Sequence, residues 1–175
     1  PAIDIPDEHG SSWPARVARE FAPMGLADGA CLRGSVQANT IETEVGMRLL
    51  REFMLRFGDP GSREAYSQRY VALLRSLGTP PDSVTRWDWD DSPACTPLSY
   101  EHGLLGVCLG LFPASFSLET LGFNLWMTCI GPCPLLVRLE PELRLRDACL
   151  RYLDLQDRDA LTSLARDAIV HALGE

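Results

Sequence analysis

The sequence predicts an all-α fold in a single domain over residues 1–175, with residues 1–12 irregular and residues 82–97 forming a loop between two halves. Seven segments carry apolar residues at helical spacing, and none alternates with the period of two that marks a strand. Clusters of proline, glycine and aspartate separate these segments. With 175 residues, 46% of them hydrophobic, the chain is long enough to bury one core.

The first predicted helix runs from about residue 13 to about residue 32. Ser11 or Ser12 is a suitable N-cap, because a serine hydroxyl accepts a hydrogen bond from the free N–H groups of a first turn. Pro23 lacks an N–H donor, so we expect a disturbance of the helix at that residue.

The second and third helices are the most regular predicted elements. Gly58 and Pro60 end the second, Ser62 caps the third, and Gly78 ends the third. The apolar stripe of the second helix consists of Val45, Leu49, Leu50, Phe53, Met54 and Phe57, and that of the third consists of Tyr66, Tyr70, Leu73, Leu74 and Leu77. The face of the second helix that we expect to contact solvent contains Arg48, Arg51 and Glu52.

The C-terminal half is more apolar and predicts four helices. Helices over residues 98–111 and 116–130 carry few charges, so we expect both to be buried in the middle of a bundle. An amphipathic helix over about 140–155 and a final helix over about 158–173 follow. In the preceding loop, residues 87–91 form an acidic cluster. We interpret this cluster as solvated, because carboxylates adjacent in sequence do not point at one metal ion.

Charge and composition exclude several classes of function. The formal net charge of −8 disfavours nucleic acids and anionic membranes, which are attracted by clustered positive charge. All 16 basic residues are arginine, which excludes lysine Schiff bases and a P-loop lysine and indicates a GC-rich bacterial genome. No apolar run reaches the length of a membrane span, and the N-terminal residues do not have a signal-peptide pattern, so we expect a cytoplasmic protein.

His102 is a candidate catalytic residue. Glu101 and His102 lie in the most apolar part of the sequence, where a charged side chain is costly unless it is paired. Adjacent residues point about 100° apart on a helix, so these two do not address one small site together. His102 is therefore either the residue that faces a pocket or a hydrogen-bonded histidine near a helix start.

Asp28 and Glu44 are two further candidates. Asp28 lies in the apolar first helix, where an unpaired carboxylate is costly, so we expect it to have a partner or to face a pocket. Glu44 opens the second helix, where an acidic side chain stabilises the helix N-terminus. For Glu44 this structural role competes with a role in binding a substrate.

Five runs of residues carry a resemblance to a known family. They are residues 22–29 (APMGLADG), 43–45 (TEV), 70–78 (YxxLLxSLG), 111–113 (LFP) and 118–125 (LETLGFNL). In order and spacing these runs resemble the heme-oxygenase-like diiron oxidases, which are also called iron-containing redox enzymes. The resemblance extends over nearly the whole chain.

The resemblance implies a seven-helix bundle that binds one or two irons, activates dioxygen and serves the biosynthesis of specialised metabolites. The family binds iron through carboxylates and histidines on its core helices, and among the matching positions only Asp154 has a suitable side chain. The other ligand positions fall at or near Arg56, residues 62–64, Thr128, Arg151 and residues 157–159. An iron site needs two or three convergent ligands of this kind, so the resemblance implies a degenerate member of the family.

Arg56 is informative because a guanidinium repels a metal ion. We expect it to pair with Asp28, Asp154 or a substrate carboxylate. We therefore hypothesise that the iron site is lost, that neither a metal nor another cofactor is bound, and that a central pocket remains. Its expected residues are the catalytic candidates His102 and Asp28 and the substrate-binding candidates Arg56, Asp154, Glu101 and Glu44.

Two functions compete for this pocket. In the first, it catalyses a metal-independent reaction of a small biosynthetic intermediate, or binds that intermediate, with His102 or Asp28 as the proton carrier. In the second, the protein is a catalytically silent partner of an active homologue, with the loop around Trp87 and Trp89 as the contact. A non-heme iron oxidase with an atypical ligand set is a third alternative. We expect a small-molecule ligand, no nucleic-acid or membrane partner, and a homodimer or a complex with a related subunit.

Overall fold

A computed structural model describes residues 13–37, 41–58, 64–79, 95–130 and 155–174. Within these ranges the chain is helical and contains no strand, which confirms the all-α prediction. The elements are α1 (Trp13–Glu20), α2 (Ala22–Leu26), a 3₁₀ turn (Ala30–Leu32), α3 (Glu44–Phe57), α4 (Tyr66–Ser76), α5 (Pro97–Leu111), α6 (Ser117–Ile130) and α7 (Leu155–Gly174). None of these helices combines the length and the apolar character that crossing a membrane requires.

The predicted first helix is divided into three short elements. Pro23 lies in the first turn of α2, where its missing N–H leaves no hydrogen bond unmade. Gly29 has a φ of 81°, a left-handed conformation that glycine adopts without strain, and it separates α2 from the 3₁₀ turn. Asp28 therefore lies in a turn and not inside a helix. The proposed caps Ser11 and Ser12 lie outside the described residues.

The α3 helix has the predicted boundaries but buries a different face. Thr43 caps its N-terminus, accepting a hydrogen bond of 2.9 Å from the Gly46 N–H, and Gly58 ends it with a φ of 75°. Glu52, which was expected to face solvent, is fully buried, and Arg48 is partly buried; only Arg51 is exposed as predicted. Met54 and Phe57 belong to the predicted apolar stripe, but both are exposed. Pairing with a second buried charge stabilises Glu52 on this face, as described below.

The α4 helix buries Tyr66, Tyr70, Leu73 and Leu74, as the apolar stripe predicts. The phenol of Tyr70 donates a hydrogen bond to the Ala18 carbonyl, which fixes α4 against α1. The predicted cap Ser62 lies outside the described residues. So do residues 140–154 of the helix predicted over about 140–155, and the acidic cluster of the loop.

The α5 helix contradicts the expectation that an apolar helix lies in the middle of the bundle. Its buried face consists mainly of glycine, because backbone from the first part of the chain lies directly against it. A Cβ atom at Gly103 would lie 2.8 Å from the Pro23 carbonyl oxygen, and one at Gly110 would overlap the Ala30 carbonyl oxygen. The large apolar residues of α5 are instead exposed: Leu98, Leu104, Leu105, Val107 and Leu111.

Two apolar clusters form the core. The first joins α1, α2, α4 and Leu161 of α7, and it includes Val17, Ala18, Ala22, Tyr70, Leu73 and Leu74. The second joins the 3₁₀ turn to α3, α5, α6 and α7 through Cys31, Leu32, Leu49, Leu109, Leu121 and Ala168. The α7 helix packs along α3 and α6. On its α3 side, Arg48 forms an ion pair of 3.2 Å with Asp167.

Candidate functional site

A buried cluster of polar side chains joins three separate parts of the chain. Arg56 of α3 is 4% exposed, and its guanidinium donates to Asp28 and, through Nη2, to Glu52 Oε1 at 3.0 Å. Asn124 of α6 donates from Nδ2 to Glu52 Oε2 at 2.7 Å, and its Oδ1 lies 3.4 Å from the Arg56 Nη2. Buried charges are tolerated when they are paired and hydrogen-bonded. Every charge of this group is paired, and the Arg56 Nε is its one buried polar atom without a hydrogen-bond partner among the described residues. We call these four residues the Arg56 cluster.

Glu52 is the most deeply buried member of the Arg56 cluster, with no exposed surface. It lies four residues before Arg56, so both side chains occupy one face of α3. Burial raises the pKa of Glu52, although Arg56 and the hydrogen bond from Asn124 oppose this effect. Burial lowers the pKa of Arg56, but the charges of Asp28 and Glu52 outweigh it and raise that pKa above its usual value. Arg56 is therefore a permanent cation, while Glu52 takes up a proton more readily than an exposed glutamate.

The Arg56 cluster contains two carboxylates and one guanidinium. When both carboxylates are ionised, the formal charge of the cluster is −1. Both carboxylates use the guanidinium as a donor, so little of its charge is left for a substrate carboxylate. The cluster therefore favours a neutral or cationic ligand over an anionic one.

A cleft lies beside the Arg56 cluster. Its wall contains four ionisable residues: Asp28, Arg56, His102 and Cys31. The other residues that line it are Met24, Ala27, Gly29, Gly103, Gly106, Phe123 and Met127. The cavity has a volume of about 10 Å³. A cavity needs a volume of roughly 10–15 Å³ to hold one water molecule. The cleft therefore has room for about one water molecule.

His102 lies where the cleft meets solvent. It is on the second turn of α5, it is exposed, and it also lines the cleft. Its ring stacks on the indole of Trp126, with ring centres 5.9 Å apart and an angle of 17° between the planes. This contact joins α5 to α6 at the mouth of the cleft. A proton on His102 can exchange with bulk water, because the imidazole is accessible.

Cys31 forms part of the cleft wall. It is 3% exposed, and burial raises the pKa of its thiol to about 12. The thiolate is the nucleophilic form of cysteine. At neutral pH the thiol is therefore protonated, and Cys31 acts as a small apolar wall residue.

The structure brings together three of the six candidates chosen from the sequence. Asp28, Arg56 and His102 line the same cleft, and Arg56 pairs with Asp28, one of its three expected partners. Glu44 lies in the first turn of α3 and pairs with Arg48 at 2.8 Å, and Glu101 is exposed; neither lines the cleft. Asp154 lies outside the described residues. The catalytic and binding roles of these residues remain predictions.

Sequence reasoning missed Glu52 and Asn124. The spacing of Glu52 and Arg56 was an available signal, because four residues place opposite charges side by side on a helix. Asn124 is a polar side chain in an otherwise apolar stretch of α6, and a buried amide needs a partner. Neither signal indicates which face of its helix contacts the core, so neither identifies the pairing by itself.

The described residues do not fit the iron site that the resemblance implies. Within the described ranges, no three His, Cys, Asp or Glu side chains converge on a position suitable for a metal ion. The carboxylates of Asp28 and Glu52 face a guanidinium. Thr128, one of the ligand positions that the resemblance implies, donates to the Leu125 carbonyl at 2.8 Å. Comparisons with models of protein families, with curated proteins and with solved structures find no match for this chain.

Proposed function

We propose that the chain is a heme-oxygenase-like helical protein of bacterial specialised-metabolite biosynthesis, in which the Arg56 cluster replaces a metal centre. In this proposal the cleft beside the cluster binds a small intermediate without a metal. The observation that carries the proposal is that Asp28, Arg56 and His102, from three separate parts of the chain, line one cleft. Asp28 supplies a hydrogen-bond acceptor, Arg56 holds that carboxylate in place, and His102 supplies a solvent-accessible imidazole.

The small cavity restricts how a ligand binds. Its volume of about 10 Å³ accepts one small polar group, such as an amino or hydroxyl group, in place of one water molecule. The rest of the ligand then lies at the mouth, beside His102 and Trp126. The negative formal charge of the Arg56 cluster favours an amine or an alcohol over a carboxylate.

Roles for the lining residues follow from their positions. Asp28 accepts a hydrogen bond from the amino or hydroxyl group of the ligand, and Arg56 keeps the Asp28 carboxylate in place through their ion pair. His102 transfers a proton between the ligand and solvent, because it lies at the mouth of the cleft and is exposed.

The proposal is tested with three small probes that share an alkyl chain and differ in their polar group: an amine, an alcohol and a carboxylate. We expect butylamine and butanol to raise the thermal midpoint of the protein and butyrate to leave it unchanged at matched ionic strength. His102→Ala should weaken the effect, whereas Glu101→Gln, a change at the neighbouring exposed residue that does not line the cleft, should not. Equal stabilisation by butyrate, or equal binding by the His102→Ala variant, would contradict the proposal.

The metal content is tested separately. We expect protein purified from iron-supplemented cells to contain far less than one iron per chain. Stoichiometric iron that is lost in the Asp154→Ala variant would instead support the third alternative, a non-heme iron oxidase with an atypical ligand set. That result would overturn the proposed replacement of the metal centre by Arg56.

A catalytically silent partner of an active homologue is the second candidate function. The small volume of the cleft favours it, because a cavity of about 10 Å³ holds only a small part of a substrate. In this case none of the three probes binds, and addition of the chain raises the activity of a homologous oxidase. Probe binding that depends on His102 would exclude this candidate.

A further inference from the structure

The α6 helix presents an apolar stripe away from its own core. Leu118, Gly122 and Trp126 are spaced four residues apart, so they lie along one face of the helix, and all three are exposed. The opposite face buries Thr120, Asn124 and Met127. The exposed stripe therefore has no partner among the described residues that covers it.

The α5 helix adds further exposed apolar residues beside this stripe. Leu98, His102 and Leu105 fall along one face of α5 and are exposed. Farther along this face Leu109 is buried, and Phe112, directly after the helix, is exposed again. The stacking of His102 on Trp126 joins this face to the α6 stripe. We call the combined set of residues the α5–α6 surface: Leu98, His102, Leu105, Phe112, Leu118, Gly122 and Trp126.

The area of the α5–α6 surface approaches what a stable protein interface needs. Its five large apolar side chains are 38–62% exposed. At on the order of 150–200 Å² per side chain, they expose on the order of 500 Å² of apolar surface. The largest apolar patch of a typical monomer is roughly 300–600 Å², and a standard interface buries roughly 800 Å² per partner including its polar rim.

Gly122 is an unusual residue for the middle of this surface. Two glycines inside α5 are needed for contacts within the chain, since a Cβ at Gly103 or Gly110 would meet backbone of the same chain. A Cβ at Gly122 would have no atom within 4 Å. Glycine weakens a helix interior relative to alanine, so the described fold gives no reason for glycine here. A glycine at this position would be explained if the backbone of another molecule packed closely against α6 at Gly122.

The charges near the α5–α6 surface indicate which kind of molecule can bind it. Between residues 97 and 130 the chain contains no arginine or lysine, and its only acidic residues are Glu101 and Glu119. Such a surface does not attract nucleic acids or anionic lipids, which need basic residues. It offers no set of charges to complement a charged partner. An uncharged apolar surface is complementary to itself, which is the requirement for a symmetric dimer.

We propose that a second copy of this chain docks on the α5–α6 surface, with the two α6 helices crossing at Gly122. The two-fold axis then passes close to Gly122, and the large side chains on either side contact their equivalents in the other copy. Because His102 lines the mouth of the cleft and Trp126 stacks on it, the dimer covers that mouth with residues of the second copy.

Sedimentation velocity on the full chain tests the dimer. We expect a mass of about twice 19.3 kDa for the wild type at micromolar concentration. Gly122→Met should raise the dimer dissociation constant by about tenfold or more, because its side chain blocks the crossing. The same substitution should raise the thermal midpoint of the monomer, since methionine is a better helix former than glycine and there is open space around the Cβ. These opposite effects distinguish a blocked interface from a damaged fold.

Two further variants provide an independent test. Leu118→Asp, at a 62% exposed position of the α5–α6 surface, should also give a monomer. Leu173→Asp, at a 75% exposed position of α7, should remain dimeric. A wild type that stays monomeric at about 100 µM, or a dimer that both Gly122→Met and Leu118→Asp leave intact, would overturn the proposal. Binding of a monomeric wild type to phosphatidylcholine vesicles would identify a lipid surface as the occupant instead.

Discussion

Replacement of Arg56 by methionine is the most direct perturbation of the buried cluster. Methionine has a similar length and fits a buried site, but it cannot donate hydrogen bonds. The carboxylates of Asp28 and Glu52 would lose their only described positive partner, while Glu52 would keep the hydrogen bond from Asn124. The variant therefore isolates the contribution of the positive charge to the stability of the fold.

The expected loss of stability is large. Removing one partner of a buried ion pair costs about 3–5 kcal/mol, because the other charge stays buried without compensation. Two carboxylates lose their partner here, and the remaining hydrogen bond to Glu52 offsets part of the cost, so we expect a loss of about 4 kcal/mol. With a urea m-value of about 2 kcal/mol/M, the unfolding midpoint should fall by about 2 M. At acidic pH the Arg56→Met variant should lose less stability, because protonation of the two carboxylates removes their unpaired negative charges.

Urea titrations followed by circular dichroism measure this loss at pH 7 and at pH 5. Arg51→Met is the matched control, because Arg51 lies on the same helix and is exposed; we expect it to change stability by less than about 0.5 kcal/mol. If Arg56→Met cost no more than Arg51→Met at pH 7, the guanidinium would not be what stabilises the buried carboxylates, and the reasoning would be refuted.

Three other changes test separate parts of the structure. Burial raises the pKa of Glu52 above its ordinary value of 4.5, so the wild type should lose stability as the pH rises from that value through the folded-state pKa. Glu52→Gln should lack this loss, and urea titrations from pH 4 to pH 8 should show its stability increasing relative to the wild type. Gly110→Ala should lower the free energy of unfolding by about 1–3 kcal/mol in the same assay, because the added Cβ overlaps the Ala30 carbonyl. An unchanged urea midpoint would contradict the close approach of the two backbones. Thr43→Ala should cost about 1 kcal/mol through loss of the cap on Gly46, whereas Thr43→Ser should cost little.

The sequence was sufficient to predict the helices but not which of their faces are buried. Apolar residues cover more than one side of α3, so the hydrophobic pattern alone does not determine its orientation. The actual orientation buries Glu52 and Arg56 and exposes Met54 and Phe57. It depends on a partner, Asp28, that lies outside the helix and 28 residues from Arg56. Periodicity within one helix carries no information about such a partner.

The α5 helix shows a second limit of prediction. It is apolar on all sides, so hydrophobicity suggests burial on all sides. The chain instead buries the face with the smallest residues, because Gly103 and Gly110 allow backbone from the first part of the chain to approach closely. The candidate site was partly predictable for a related reason: a charged residue in an apolar stretch, such as Asp28, implies a partner even when that partner is unknown.

The position of Asn124 has a consequence for how the chain can be divided. Its amide reaches Glu52 across 72 residues, so a fragment that ends after α4 would contain Glu52 and Arg56 without the donor to Glu52 Oε2. Such a fragment should not reach its native packing until the complementary fragment with α5, α6 and α7 binds to it. The two pieces, expressed separately, are thus suited to a split-protein reporter whose signal depends on reassembly.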